Sequence, residues 1–486
     1  MKKIYLLYIL PLLAVVAMLT ACADDDSFTT SAAHQLTFST DTIRLDTTFS
    51  KVPTATKTFW VYNRSGDGIR LTNVRLERGN QTGFRVNVDG VFLGQESGFQ
   101  VNNLEVRNKD SIRVFVELTS PLNNGDEPQK VEDNLVFTLE SGVQQKVNLN
   151  AYSWDAELLK SLEIKRDTTI ASSGKPIVIQ GGLKVDSGAV LTIAEGTTLY
   201  FANGAGIDVY GQLQAKGTAQ KNVVLRGDRI DRMFDYLPYD RISGQWQGIR
   251  FHSSSYGNIL AYTDLHSAYN GIVCDSSSIE RQKLFLANST IHNCQGYGLV
   301  STNCTIVASN CQITNTLNDC AAFFGGGVTL IQCTIAQFYP FDAHRGAALR
   351  LTNYRGDYTY PLYQFKMFNS LVTGDAEDVI VDDFKDDVRA DYLFDHCILR
   401  TIKPDSIDNN HYVKVWWENP KDTVRSGRKH FRKIDADKQY YDFHLDSVSS
   451  CIDSAQVWQV LDFVIDRDGN GRDGKPDIGC YEYQKP

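Results

Sequence analysis

A chain of 486 residues exceeds one ordinary hydrophobic core, so two or more domains are expected. Hydrophobic residues make up 42% and charged residues 22%, the balance of a soluble globular protein. The formal net charge of -9, without a long basic run, argues against nucleic acid as an electrostatic partner.

Twenty-three Tyr and 24 Phe beside 4 Met and 12 Pro, with 36 Gly for turns, favour β-structure. The chain opens with "MKKIYLLYILPLLAVVAMLTAC": two lysines, an apolar run, then small residues before Cys22. This stretch resembles a bacterial lipoprotein lipobox. The resemblance implies a signal peptide over residues 1–21, acylation of Cys22, and anchoring in the outer membrane of a Gram-negative cell. An uncleaved membrane helix is the alternative. Ala23 and the acids Asp24, Asp25 and Asp26 resemble the export signal of surface-exposed lipoproteins, and residues 22–33 read as a tether. Tripeptides such as "DTI" at Asp41 and "DSI" at Asp110 look like bacterial O-glycosylation sequons, which agrees with an envelope location.

Residues 34–155 carry short strands with turn punctuation. In "SIRVFVEL", Ile112, Val114, Val116 and Leu118 alternate with Arg113, Phe115 and Glu117, the pattern of a one-sided β-sandwich sheet. With "FWVYN" before a turn and "VELTSP" closing a later strand, the segment resembles the immunoglobulin-like modules of bacterial surface proteins. Such modules usually act as spacers.

From residue 156 to 445 the texture is one of very short β-runs separated by Gly or polar turns. "NSTIHN", "NCQITN" and "QCTIAQ" place Ile291, Ile313 and Ile335 at a constant step of 22 residues. Leu265, Leu371 and Ile398 are expected in the same slot at longer steps. A 22-residue period without helical patterning predicts coils stacked ~4.8 Å apart in a parallel β-helix. Asn288 and Asn310 should stack at one corner, and Asn293 and Asn315 at another. Cys311 and Cys333 precede inward Ile residues by two positions and should face the core. His266 and His292 should neighbour one another on the outer face, as a solvated ladder or, less simply, a metal pair. Together with "GQWQGIRF", the segment resembles right-handed parallel β-helix proteins. The fold expected is therefore all-β: an N-terminal immunoglobulin-like β-sandwich followed by a right-handed parallel β-helix with a C-terminal cap.

Many proteins of that fold act on acidic polysaccharides, which need clustered carboxylates for cation binding or acid–base work. The densest acidic stretch, "GDAEDVIVDDFKDDVRADYLFDH", offers Asp378, Asp382, Asp383 and Arg389 as catalytic candidates, with a solvated acidic turn as the competing reading. The Gly-His-Gly and Arg-Ile-Lys signatures of polygalacturonase-like enzymes are missing. Two insertions interrupt the repeat, residues 228–244 and 339–365, and both mix aromatics with arginine. They supply Tyr236, Tyr239, Arg241, Arg345, Tyr354, Tyr358 and Tyr360 as candidates for stacking on sugar faces.

The tail, residues 446–486, contains "DRDGNGRDGKPDIGCYEY". Asp466, Asp468, Asn470 and Asp477 fit positions of a calcium loop, but Asp473 stands where an apolar residue is wanted. The stretch resembles the choice-of-anchor-type C-terminal segment of bacterial β-helix surface proteins, which implies a plug beside the last coils. Cys451 and Cys480 are candidates for a disulfide, since an envelope compartment can be oxidising. No cofactor other than calcium is expected. The partners expected are the membrane through the anchor and a glycan, in non-catalytic recognition; a polysaccharide lyase or hydrolase and a purely adhesive protein are the alternatives.

Overall fold

The computed structural model describes residues 27–422, 424–457 and 464–485, so the signal peptide and Cys22 lie outside the described residues. The chain divides into two compact units, one ending at Asp155 and one beginning at Ala156.

The first unit is a β-sandwich of two five-stranded sheets. The alternation in Ser111–Leu118 does what its pattern dictates: Ile112, Val114, Val116 and Leu118 are buried in one core with Phe59, Leu71, Phe137 and Leu149 of the facing strands. Part of the expected tether is not free. Phe28 forms a bridge to Gly68, and the Arg70 guanidinium covers its ring at 4.7 Å. An aromatic side chain there gains more from covering apolar surface than from solvent.

The second unit is a solenoid of three parallel sheets with eleven, nine and ten strands. Each strand pairs in parallel with its equivalent one coil on, and the three sheets enclose a single apolar core. The predicted rung is present: Leu265 pairs with Ile291, Ile291 with Ile313, and Ile313 with Ile335. The next step corrects the expectation. Ile335 pairs with Val372 and Val372 with Leu399, whereas Leu371 and Ile398 sit one residue earlier. A one-residue slip in a strand reverses the face. Val372 and Leu399 therefore enter the core, and Leu371 and Ile398 turn outward to pack under the tail. The second aromatic insertion, within residues 339–365, hides this offset from simple counting.

Corners follow the same chemistry. Asn288, Asn310 and Asn369 occupy one corner with φ of 48°, 49° and 47°, and Asn293 and Asn315 another with φ of 53° and 56°. Asparagine tolerates this left-handed backbone better than most side chains. At Gly248 (φ +86°) even a Cβ is excluded, because it would stand 1.6 Å from the Asn270 carbonyl oxygen. Next to it Trp246 is fully buried and stacks on Phe201 at 4.4 Å. Cys274, Cys294, Cys304, Cys311, Cys320, Cys333 and Cys397 fill the core as small apolar groups.

After the last paired strand, Trp416–Trp417, the chain forms a hairpin of Phe431–Asp435 with Tyr440–Leu445 and then turns back. The tail does not stop beside the final coils. It runs along the flank of the solenoid, with bonds from Arg467 to Asn222 and Thr290 and from the Gly479 N–H to the Asn369 carbonyl. Asn288, Asn310 and Asn369 of the first corner bond to this strap rather than to each other, while Asn315 of the second accepts the Phe338 N–H.

Candidate functional site

Strap, hairpin and first insertion together border a groove of about 310 Å³ over the outer face of the eleven-stranded sheet. Its floor is made by Asp264, Thr290, His292 and Gln312, which point outward because they alternate with the inward Leu265, Ile291 and Ile313. One wall is Asp240 and Arg241 from the insertion; the others are Tyr440, Tyr441 and Phe443 of the hairpin and Arg467, Asp468 and Tyr481 of the strap.

Charges in the groove are paired. Asp264 Oδ1 lies 2.9 Å from His266 Nδ1 and 3.1 Å from His292 Nε2. His266 Nε2 in turn lies 2.9 Å from Asp240, which also meets Arg226 at 2.5 Å. The two imidazoles stack at 4.8 Å between centroids. Of the two readings of this pair, a solvated ladder and a metal pair, the ladder does not describe His266, which is only 5% exposed because the insertion closes over it with Asp240. Burial would by itself push Asp264 up, but the imidazole of His266 and bonds from His266 and His292 hold it well below the usual carboxylate range. Burial likewise opposes a charged His266, and Asp264 and Asp240 outweigh it to hold that ring at about 9. On the strap side His444 bridges Asp442 and Asp468, at 2.5 and 2.7 Å. Asn315, lining the groove and buried, finds no partner for its amide nitrogen among the described residues.

Of the aromatic and arginine candidates, only Arg241 reaches this groove, where its guanidinium covers Tyr440 at 4.9 Å. Tyr354 lines a second cleft of about 360 Å³ with Tyr297, Phe324, Arg350 and Arg355. Tyr358 is 72% exposed at a hairpin tip, Tyr360 is half-buried, and Arg345 is turned to the Tyr339 carbonyl and Asp375. Tyr236 stacks on Phe234, and Tyr239 is covered by Arg229 at 3.6 Å. Tyr440, Tyr441, His444 and the role of Asp264 were not singled out from sequence. The hairpin contributing the first three lies outside the 22-residue repeat, so no spacing pointed to it.

The acidic stretch is split by the fold. Asp378 and Asp382 share a small cleft of about 160 Å³ with Tyr412 and Trp417; Asp382 keeps an exposed edge, and partial desolvation there with the charges of Asp378 and Asp383 pushes its carboxyl up. Asp383 is taken by the Tyr354 hydroxyl, and Arg389 pairs with Asp391 on the surface at 2.5 Å. The four catalytic candidates do not form one site.

The calcium set is not assembled either. Asp466 accepts the N–H groups of Asp468, Asn470 and Glu482, with Asn470 as a further donor through its side chain. Asp468 is paired with His444, and Asp477 accepts the N–H groups of Asp453 and Tyr483. These oxygens already hold the turn together. Cys451 and Cys480 are free thiols in one buried cluster, not a bridge: Cys451 faces His430 Nδ1 at 3.6 Å, while Cys480 donates its N–H to Thr334. Glu418, His430 and Arg400 form a buried ionic triad beneath that cluster.

The family described as a right-handed β-helix region matches residues 166–335. The second unit is a right-handed parallel β-helix. No curated protein matches the chain. Among solved structures, a family 123 glycoside hydrolase from Clostridium perfringens aligns over 25% of this chain and 26% of its own, at 7% identity and a TM-score of 0.17. The chain thus spans about a quarter of that hydrolase. Pectate lyase Pel9A aligns over 68% of this chain and 88% of its own, at 11% identity and a TM-score of 0.31. An α-1,3-glucanase catalytic unit from Streptomyces thermodiastaticus aligns over 70% and 74%, at 13% identity and a TM-score of 0.32.

Proposed function

We propose that the protein is a lipid-anchored surface protein that recognises glycan without turning it over, using the groove over the eleven-stranded sheet. The observation that carries this reading is the pairing of charge in that groove. Asp240, Asp264 and Asp468 each face a basic side chain: Arg226 and His266, His266 and His292, and His444 and Arg467. A hydrolase needs a carboxyl free to give a proton and another free to attack or activate water. Committed pairs offer neither, but with Gln312, Asn315, Thr290 and the exposed Tyr440 they suit hydroxyl recognition and ring stacking. The lipobox motif supports the anchor, and the immunoglobulin-like pattern of the sandwich supports a spacer role for it.

Incubating the full chain with neutral and acidic polysaccharides tests the proposal. Retention without new reducing ends or unsaturated product is expected. The second reading, a lyase or hydrolase, rests on the raised carboxyl of Asp382 beside Asp378 in the small cleft. It predicts turnover that Asp382→Asn abolishes; such turnover would replace the binding assignment.

A further inference from the structure

The groove floor contains a feature that glycan recognition does not require. Asp264, His266 and His292 bring one carboxylate oxygen and two imidazole nitrogens within 4.8 Å of one another. Two of the three separations, 2.9 and 3.1 Å, are close to the ~3.3 Å edge of a tetrahedron built on zinc–nitrogen bonds of ~2.0–2.1 Å. The parallel register fixes the set: His266 pairs with His292 on the next coil, and Asp264 stands two residues before His266 on the same outer face.

The surroundings match those of a ligand histidine. His266 Nε2 is bonded at 2.9 Å to Asp240, and Asp240 is held by Arg226 at 2.5 Å. Its backbone is fixed as well, because the buried Trp246 donates its indole N–H to the His266 carbonyl at 2.8 Å. A carboxylate on the far nitrogen of an imidazole orients the ring and makes the near nitrogen a better donor to a cation. With the proton on Nε2, the Nδ1 lone pair of His266 points at Asp264 Oδ1, which also carries lone pairs. In the cation-free site a second proton on Nδ1 fills that 2.9 Å contact; a metal ion would replace it from the open side shared by the three donor atoms, not on the line between these two.

We infer that Asp264, His266 and His292 form a binding site for a divalent cation of the zinc class, with Asp240 as the positioning residue behind His266. Two imidazoles with one carboxylate suit zinc and its neighbours, whereas calcium and magnesium prefer all-oxygen sets. Asp264 and His292 both line the groove, so the remaining coordination positions open on it. On binding, the ion takes the place of the protons between the three groups, which pass to solvent. The inference stands apart from the glycan reading, since it needs no sugar.

The test is equilibrium dialysis of the full chain against buffered Zn²⁺, with metal counted by mass spectrometry and the ligand atoms read by zinc-edge X-ray absorption. One Zn²⁺ per chain is expected, in a nitrogen and oxygen shell without sulfur. His292→Ala, at a quarter-exposed position, and Asp264→Asn should each lose at least about 100-fold in affinity. Asp240→Asn should lose about 10–100-fold, the range for a removed outer partner. Circular dichroism of each variant checks that it folds. A folded wild type without stoichiometric zinc overturns the site, and so does zinc bound through cysteine sulfur. Unchanged affinity in a folded His292→Ala overturns it equally.

Discussion

Asn288 donates its side-chain amide to the carbonyl of Asp466, 178 residues further along the chain, at 2.7 Å. Asn310 does the same to Ile465 at 3.1 Å, and Asn369 bonds both ways with Gln456. One asparagine property, tolerance of the left-handed corner, places amides above one another on the flank, with Gln332 at the same corner on the coil between Asn310 and Asn369. The strap then uses that row as its receptor. Because the strap also forms one wall of the groove, solenoid corner and candidate site are linked through it.

Replacing Asn288 separates the two roles. Asn288→Gly keeps the positive φ but removes the bond, and should cost about 1 kcal/mol. Asn288→Ala adds about 1–2 kcal/mol of backbone strain. Denaturant melts that rank the variants in the opposite order would contradict the corner argument.

The buried triad of Arg400, Glu418 and His430 predicts a pH window. Burial disfavours the charged form of His430, but Cys451 and Glu418 outweigh it and raise the ring from 6.5 to about 10. Its contribution is complete below pH 6.5 and is lost as pH rises through about 10. Burial also opposes ionised Glu418, yet His430 and Arg400 hold it below its ordinary 4.5. That contribution is present above pH 4.5 and is lost as pH falls through the lowered value. Melting midpoints of the wild type should therefore fall on both sides of roughly pH 4.5–6.5. Glu418→Gln should be strongly destabilised, on the order of 3–5 kcal/mol, since it leaves Arg400 and His430 uncompensated.

Tyr440 is 46% exposed at the groove, with Arg241 over its ring. Tyr440→Ala should weaken glycan retention about 10-fold, on the order of 1.4 kcal/mol, with an unchanged melting midpoint. Tyr236→Ala, whose ring stacks on Phe234 away from the groove, should leave retention unaltered. Affinity electrophoresis on the retained polysaccharide compares the two.

All nine cysteines from Cys274 to Cys480 are buried free thiols. Burial raises several of them, Cys397 to about 12, so the reactive thiolate is scarce as well as covered. An alkylating reagent should leave the native protein unlabelled at these positions and modify all nine after denaturation. A mass consistent with a Cys451–Cys480 bridge would contradict the structure.

Cys22→Ala tests the anchor. The full chain should lose label from radioactive fatty acid and leave the membrane fraction; continued labelling would remove the lipobox reading.

The sequence by itself determined whatever repeats at short range. A 22-residue interval fixed the rung Ile291, Ile313 and Ile335, and alternation within each strand fixed which side chains enter the core. Asparagine at the corners was legible for the same reason, since backbone conformation is a local property. Where an insertion broke the count, local information failed by one residue, and Leu371 and Ile398 changed faces. The groove was decided only by tertiary structure. Asp240, Asp264, Tyr440 and Asp468 lie far apart along the chain, and no interval relates them. They meet because a nonrepeating hairpin and strap fold back over the sheet, and their docking energy comes from contacts that exist only once the coils are stacked.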